Sequence, residues 1–253
     1  MTGFETHRGG DAKRGKVAAS SQPCAVCKAV DILSLRFDIS GVCPDVLADI
    51  AQRSYAAGED LTATLSGRDI AVLATGAVRE EVALKDGRRQ VIAFRLAGDA
   101  VSGVTALPGY HTTAITSGML FEFDERSLNR CRLKGGDSAK WYENLKAARI
   151  DEFRKHIVLL GRYTACERVV LFLDNVLERI GVEGTDGFHI SLPMGREDIA
   201  DHLGLKAETV SRHLSRLQSD GVLSLLKPGK LVIHERQRLQ ALLPAPASQV
   251  SSR

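Results

Sequence analysis

The sequence predicts an α+β chain in three parts: a strand-rich N-terminal unit, a long helix and a C-terminal winged helix-turn-helix. Three observations predict it. Between residues 71 and 123 short apolar runs alternate with glycine turns, the texture of an antiparallel barrel or sandwich. From Ala139 to Ile180 there is no proline, and Gly161 is the lone glycine. From Phe188 onward a short strand, two short helices and an apolar hairpin follow one another, the order of a winged helix.

Composition sets the frame. The 253 residues allow one to two domains and a sizeable core, and 44% apolar with 26% charged residues is ordinary for a globular chain. Lysine plus arginine number 34 against 31 acidic residues, a net +3 that by itself selects no partner. No apolar run approaches the ~18 residues of a membrane span. The N-terminus MTGFETHRGGDAKRGK has no apolar stretch of a secretory leader, so we expect a cytoplasmic protein with no membrane partner. The five cysteines are Cys24, Cys27, Cys43, Cys131 and Cys166. An odd count in such a chain argues against a disulfide framework and leaves redox, metal and packing roles open.

The elements follow in order. Pro44 to Asp49 carries a short helical signal with Val46, Leu47 and Ile50 on one side. Strands are expected over Ala71–Thr75, from Glu81 toward the Asp86-Gly87 turn, Gln90–Leu96, Thr112–Thr116 and Met119–Phe123, with Lys85-Asp-Gly87 marking a hairpin. Beyond Asp124 the texture turns helical. Ile150, Phe153, Ile157 and Leu160 follow a 3-4-3 spacing, the a/d pattern of a helix seam; a helix packed on its own domain fits that spacing equally. A second stripe comprises Val169, Leu173, Val176, Leu177 and Ile180. Residues 181–187 read as a loop. Glu143, Glu152 and Glu167 read as solvated helix charges, and Cys166 as packing.

Residues 196–217 carry the most specific signal. Ile199, Ala200 and Leu203 would be buried by a first helix, and Val210, Leu214 and Leu217 by a second. Gly204 allows the left-handed backbone of a tight turn, and Leu205 plugs it. Glu208, Ser211, Arg212 and Ser215 then fall at i, i+3, i+4 and i+7 on one exposed face. Arginine is shaped to grip guanine O6 and N7, and glutamate accepts from the cytosine amino group. His213, Arg216 and the wing residues Lys227 and Lys230 are placed to hold phosphates. Double-stranded DNA is the expected partner.

Asp198-Ile-Ala-Asp-His-Leu-Gly-Leu-Lys-Ala-Glu208-Thr-Val-Ser211-Arg212 resembles the recognition motif of the CRP/FNR superfamily of bacterial transcription regulators. Its Glu208, Ser211 and Arg212 match the E-x-x-S-R of the FNR and FixK branch, and Phe94-Arg-Leu-Ala-Gly-Asp99 resembles the end of that family's sensory β-roll. The resemblance runs roughly from Val46 to Leu243. It implies a cyclic-nucleotide-binding-like β-roll, a long dimerisation helix and a C-terminal winged helix. The implied division is a disordered tail (1–22), the sensory roll (23–128), the dimerisation helix (129–164), the DNA-binding domain (165–243) and a second tail (244–253). It also implies a homodimer through Ile150, Phe153, Ile157 and Leu160, RNA polymerase as a partner, and palindromic TTGAT-like sites. Lys206 departs from the family, which has a capping Ser or Thr there; the missing bond is worth about 1 kcal/mol.

The sensory side matches less well. The cyclic-AMP branch of the family has a Glu for the ribose after its Gly-Glu-Leu start and an Arg for the phosphate. Here no Glu follows Gly98, and His111 or Thr112 stands in place of the Arg, so a cyclic phosphate lacks its bidentate partner and cyclic AMP is not the expected effector. The FNR branch binds a [4Fe-4S] cluster through an N-terminal C-x2-C-x5-C run and one β-roll cysteine. Cys24 and Cys27 fit, but Leu33 stands where the third would be, fifteen residues separate Cys27 from Cys43, and Phe121 occupies the roll position, ten residues before Cys131. Three readings stay open: a variant [4Fe-4S] cluster on Cys24, Cys27, Cys43 and Cys131, zinc, or unliganded thiols with redox sensing.

The reading that results is a homodimeric, sequence-specific DNA-binding regulator that responds to oxygen or redox state. The alternative is a cyclic-nucleotide-type sensor module acting through protein–protein contact. An enzyme is not expected, because the sequence holds no P-loop, dinucleotide fingerprint, H-E-x-x-H or G-x-S-x-G.

Overall fold

A computed structural model describes residues 50–66, 70–103, 107–123, 126, 128–129, 133 and 136–244. The Pro44–Asp49 helical signal and both tails as drawn from sequence lie outside these residues, apart from Pro244.

The N-terminal unit is a pair of antiparallel sheets. One has the strand order β1 (Ala51–Tyr55), β7 (Gly118–Glu122), β2 (Ala71–Thr75), β5 (Ala100–Val101). The other has the order β4 (Arg89–Leu96), β3 (Ala77–Ala83), β6 (Tyr110–Ala114). A short helix α1 (Thr62–Leu65) packs at its side. The core between them holds Tyr55, Leu61, Leu65, Leu73, Val78, Val101 and Leu120. The expected hairpin joins β3 to β4, pairing Ala83 with Arg89 and Ala77 with Leu96, with a bulge at Glu80 and Glu81. Gly76 turns β2 into β3 at φ +89°, and a Cβ there would sit 2.5 Å from the Tyr55 hydroxyl, so the turn needs glycine.

Helix α2 (Gly136–Arg162) leads into α3 (Ala165–Ile180). The break falls at Tyr163-Thr164. Thr164 caps α3 in a reciprocal box with Glu167, whose carboxylate accepts from the Thr164 N–H at 2.7 Å. Glu167 is therefore a capping residue rather than a merely solvated charge.

The C-terminal unit continues with β8 (Val182–Gly184), β9 (Gly187–Ser191), α4 (Arg196–Leu203), α5 (Ala207–Ser219), β10 (Leu223–Lys227), β11 (Lys230–Ile233) and α6 (Arg236–Gln240). Its sheet runs β10-β11-β9-β8. Where sequence suggested a loop over residues 181–187, Val182–Gly184 pairs with β9 as an edge strand.

One apolar core runs through both units. Val91 and Phe94 of β4 share a cluster with Val169, Phe172, Leu173 and Val176 of α3, Ile199 and Leu203 of α4, Val210 and Leu214 of α5, and Leu231 and Ile233 of the wing. The Phe94 and Phe172 rings meet edge-to-face at 6.1 Å, a preferred aromatic geometry. Among the described residues no helix is long and apolar enough to cross a membrane.

Candidate nucleic-acid interface

The motif is assembled from its turn outward. Gly204 ends α4 in the left-handed conformation, φ +61° and ψ +40°. The N–H of Leu205 returns to the carbonyl of Ala200 at 2.9 Å, which tightens the turn. A Cβ on Gly204 would come 3.2 Å from Leu160 at the end of α2, so this glycine also lets the long helix approach the motif. Ile199, Ala200 and Leu203 are buried beneath α4, and Val210, Leu214 and Leu217 beneath α5, as the spacing required. Lys206 stands at the N-cap of α5 with no side-chain cap bond.

The opposite face of α5 is open. Glu208, Ser211, Arg212, Ser215 and Arg216 are exposed. Glu208 lies in the first turn, where the helix dipole favours a carboxylate. Arg216 makes only a loose 3.8 Å pair with Asp220. Half-buried His213 has its pKa lowered by burial and by the flanking charges of Arg212 and Arg216. It is therefore mostly neutral at pH 7 and offers an N–H rather than a charge. On the wing, Lys227 and Lys230 are exposed and pair across the hairpin. They lie at the strand ends, so the turn itself is only Pro228-Gly229.

Arg168 of α3 staples the motif to α2. Its guanidinium donates to the carbonyls of Leu203, Leu160 and Tyr163 at 2.9, 2.8 and 2.9 Å. Arg236 bonds Asp174 at 2.7 Å and Glu178 at 3.1 Å, tying α6 to α3. Neither residue stood out in the sequence. A basic residue amid an apolar helical stripe was the signal for Arg168, but nothing local names carbonyls 35 residues away.

The seam residues divide on α2. Ile150 and Ile157 are 49% and 69% exposed, and neighbouring Val158 is 50% exposed. Phe153 and Leu160 are half-buried in the same chain, Phe153 near Arg149 at 6.0 Å. Glu152, read as solvated from sequence, is engaged instead. It bonds Arg95, which also donates to Glu80 at 3.0 Å, while Arg149 reaches Glu80 at 3.3 Å. Burial works to raise the Glu152 pKa, and the charge and hydrogen bond of Arg95 together with the charges of Arg179 and Arg149 more than offset it, so the carboxyl lies below its ordinary range. Glu80 is fully buried and Arg95 is 3% exposed.

In the roll, Asp99 accepts from the Leu96 N–H at 2.7 Å and also pairs with Arg179 of α3. His111 is half-buried, 3.4 Å from Asp60, and Thr112 is buried with its N–H on the Thr62 hydroxyl. Cys24, Cys27, Cys43 and Cys131 lie outside the described residues. Cys166 is a free, half-buried thiol packed against the core.

An exposed polar helix face, close-packed over a glycine turn and flanked by a lysine-bearing wing, defines a winged helix-turn-helix DNA-binding regulator. A Crp-like helix-turn-helix domain matches residues 167–242. The chain is 34% identical over 213 residues to a nitrogen fixation regulation protein FixK of Azorhizobium caulinodans, covering 77% of this chain and 78% of that one. It is 30% identical over 197 residues to the transcriptional activator protein FnrL of Cereibacter sphaeroides, covering 74% and 78%. The structure of FixK2 from Bradyrhizobium japonicum superposes with a TM-score of 0.69 at 35% identity, over 78% of this chain and 99% of that one. The chain belongs to the CRP/FNR family, in its FixK/FNR branch, and is a transcription regulator rather than an enzyme.

Proposed function

We propose that two copies of this chain pair through α2 and read a palindrome with TTGAT-like arms, one arm per α5. The exposed face of Glu208, Ser211, Arg212 and Ser215 carries the reading. It presents an arginine and a carboxylate one turn apart, matched to guanine and cytosine edges, while Arg216, Lys227 and Lys230 supply phosphate contacts. The exposed Ile150 and Ile157 are one heptad apart and support the two-fold seam. The protein acts in the cytoplasm, with RNA polymerase as the partner that family membership implies.

The signal is oxygen or redox state, received by the thiols of Cys24, Cys27, Cys43 and Cys131. The supporting observation is the kinship with proteins named for fumarate and nitrate reduction, 28% identical over 203 residues in Klebsiella oxytoca. Iron and sulfide in protein purified without oxygen, lost in Cys24→Ser and kept in Cys166→Ser, distinguish a cluster from bare thiols.

The reading is tested by gel shift on a palindromic TTGAT probe, with Ile157→Glu beside the wild type. The wild type shifts the probe as a dimer. The variant places an unpaired charge in the seam, is monomeric by light scattering, and loses tight binding. A variant that stays dimeric overturns the seam.

A further inference from the structure

The first helix of the DNA-binding motif is held by the sensory roll. Arg89, just after the β3–β4 turn, donates from Nε to Asp201 at 2.6 Å and from a terminal nitrogen to Asp198 at 2.7 Å. Its other terminal nitrogen reaches Glu81 at 3.1 Å. Asp198 and Asp201 are three apart on α4, so one planar guanidinium spans a helical turn. Burial works against the Arg89 charge, and its bonds to Asp201 and Asp198 outweigh that, so its pKa is raised.

The next two residues of β4 complete the hold. Gln90 donates its side-chain amide to the carbonyls of Asp201 at 2.6 Å and His202 at 3.2 Å. The carbonyl of Val91 accepts from the His202 ring at 3.1 Å. The last four carbonyls of a helix have no partner within it. In α4, Ala200 is satisfied by the Leu205 N–H and Leu203 by Arg168. The remaining two, Asp201 and His202, are satisfied by the sensory strand. Phe94 extends the contact with its ring 5.1 Å from that of His202. Glu208, Ser211, Arg212 and Ser215 stay exposed while it is made.

We infer that Arg89 is a positioning residue for DNA reading. With Gln90 it fixes the angle of α4 and α5 on the roll, and thereby the spacer that two reading helices accept between half-sites. The inference rests on the homodimeric, palindromic reading proposed above. α4 and α5 share one buried interface, so whatever fixes α4 fixes α5. Adding one base pair to a spacer moves an arm by about 3.4 Å and rotates it by about a tenth of a turn. A rigidly held pair of helices cannot follow both changes, and a loosely held pair can.

The test is a set of palindromic duplexes whose spacer changes one base pair at a time, bound by full-length wild type, Arg89→Ala, Arg89→Lys and the double variant Asp198→Asn with Asp201→Asn. Wild type binds one spacer and loses about tenfold or more per added or removed base pair. Arg89→Ala and the double aspartate variant flatten that loss to about threefold or less, while affinity for a duplex with a single arm is unchanged. Arg89→Lys keeps the charge without the fork and lies between them. If Arg89→Ala fails to fold, the double variant decides, since it breaks the contact from the other side. A variant that binds more weakly but keeps the wild-type spacer profile overturns the inference. A wild type with no spacer preference overturns the palindromic reading, and the positioning role with it.

Discussion

The two ends of the molecule use charge in opposite ways. On α5, Glu208 and Arg212 face water. Where the roll meets α2, Glu80 and Arg95 of the roll and Arg149 of the helix are buried or half-buried and bonded to one another and to Glu152. A buried charge persists only when paired, so the charges of the roll are structural and unavailable to a ligand. The exposed charges of α5 gain little from their own chain and are available to a partner. Accessibility and pairing, rather than the number of charged residues, separate a binding surface from a scaffold.

Breaking the buried side has the largest effect. Arg95→Met removes the guanidinium between Glu80 and Glu152 and leaves the fully buried Glu80 with Arg149 alone. We expect a loss of about 3–5 kcal/mol in urea unfolding. A loss under about 1 kcal/mol would mean that water reaches Glu80 and that the contrast between the two ends is false.

Changes on the exposed side act on DNA instead of stability. Arg212→Ala should leave the unfolding midpoint unchanged and weaken operator binding by about 1–3 kcal/mol, with preference relaxed at a single G·C pair. Lys230→Ala should weaken all sequences alike and reduce the salt slope by about one unit. Both are read by titrating every single-base change in one arm. The same sequence-blind loss from both would deny α5 its base-reading role.

The junction between the ends carries the smallest effect, and it depends on pH. Burial first, then the nearby His156, lowers the His202 pKa to about 3 from 6.5. The two imidazoles stack at 4.4 Å. The fold therefore binds fewer protons than the unfolded chain between those two values, and stability falls as pH drops through that window. From pH 7 to pH 5 the loss attributable to His202 is up to about 2 kcal/mol. His202→Asn keeps a donor for the Val91 carbonyl and cannot titrate, so its stability should fall less over that range. Parallel pH profiles for the two proteins would remove His202 as the cause.

How far the sequence alone reached follows from how far apart the interacting residues are. Both helices of the motif, their buried residues and the turn at Gly204 were legible, because spacings of three and four and one glycine specify them within twenty-odd residues. β2, β4, β6 and β7 were legible from alternation and turn residues, β3 only from Glu81 onward although it begins at Ala77, and the two-residue β5 was not legible. Two further strands were not. β1 reads Ala-Gln-Arg-Ser-Tyr and buries only Tyr55, and β8 is exposed at every residue, so neither carries an apolar pattern. Glu152 was misread because Arg95 lies 57 residues away. The hold on α4 was invisible for the same reason, with Arg89 and Asp201 separated by 112 residues. Two aspartates three apart beside a buried helix stripe were the available hint, and such a pair more often faces solvent.

The shared core has a consequence for how the chain is made. Val91 and Phe94 leave the ribosome about 100 residues before α4, some 5–20 s earlier at ordinary elongation rates. Over that interval a roll folded on its own would present these side chains, with Leu96 beside them, as an uncovered sticky patch. The nascent protein is then most prone to aggregate, or to engage a chaperone, in the interval that ends when α3 and α4 close over that strand.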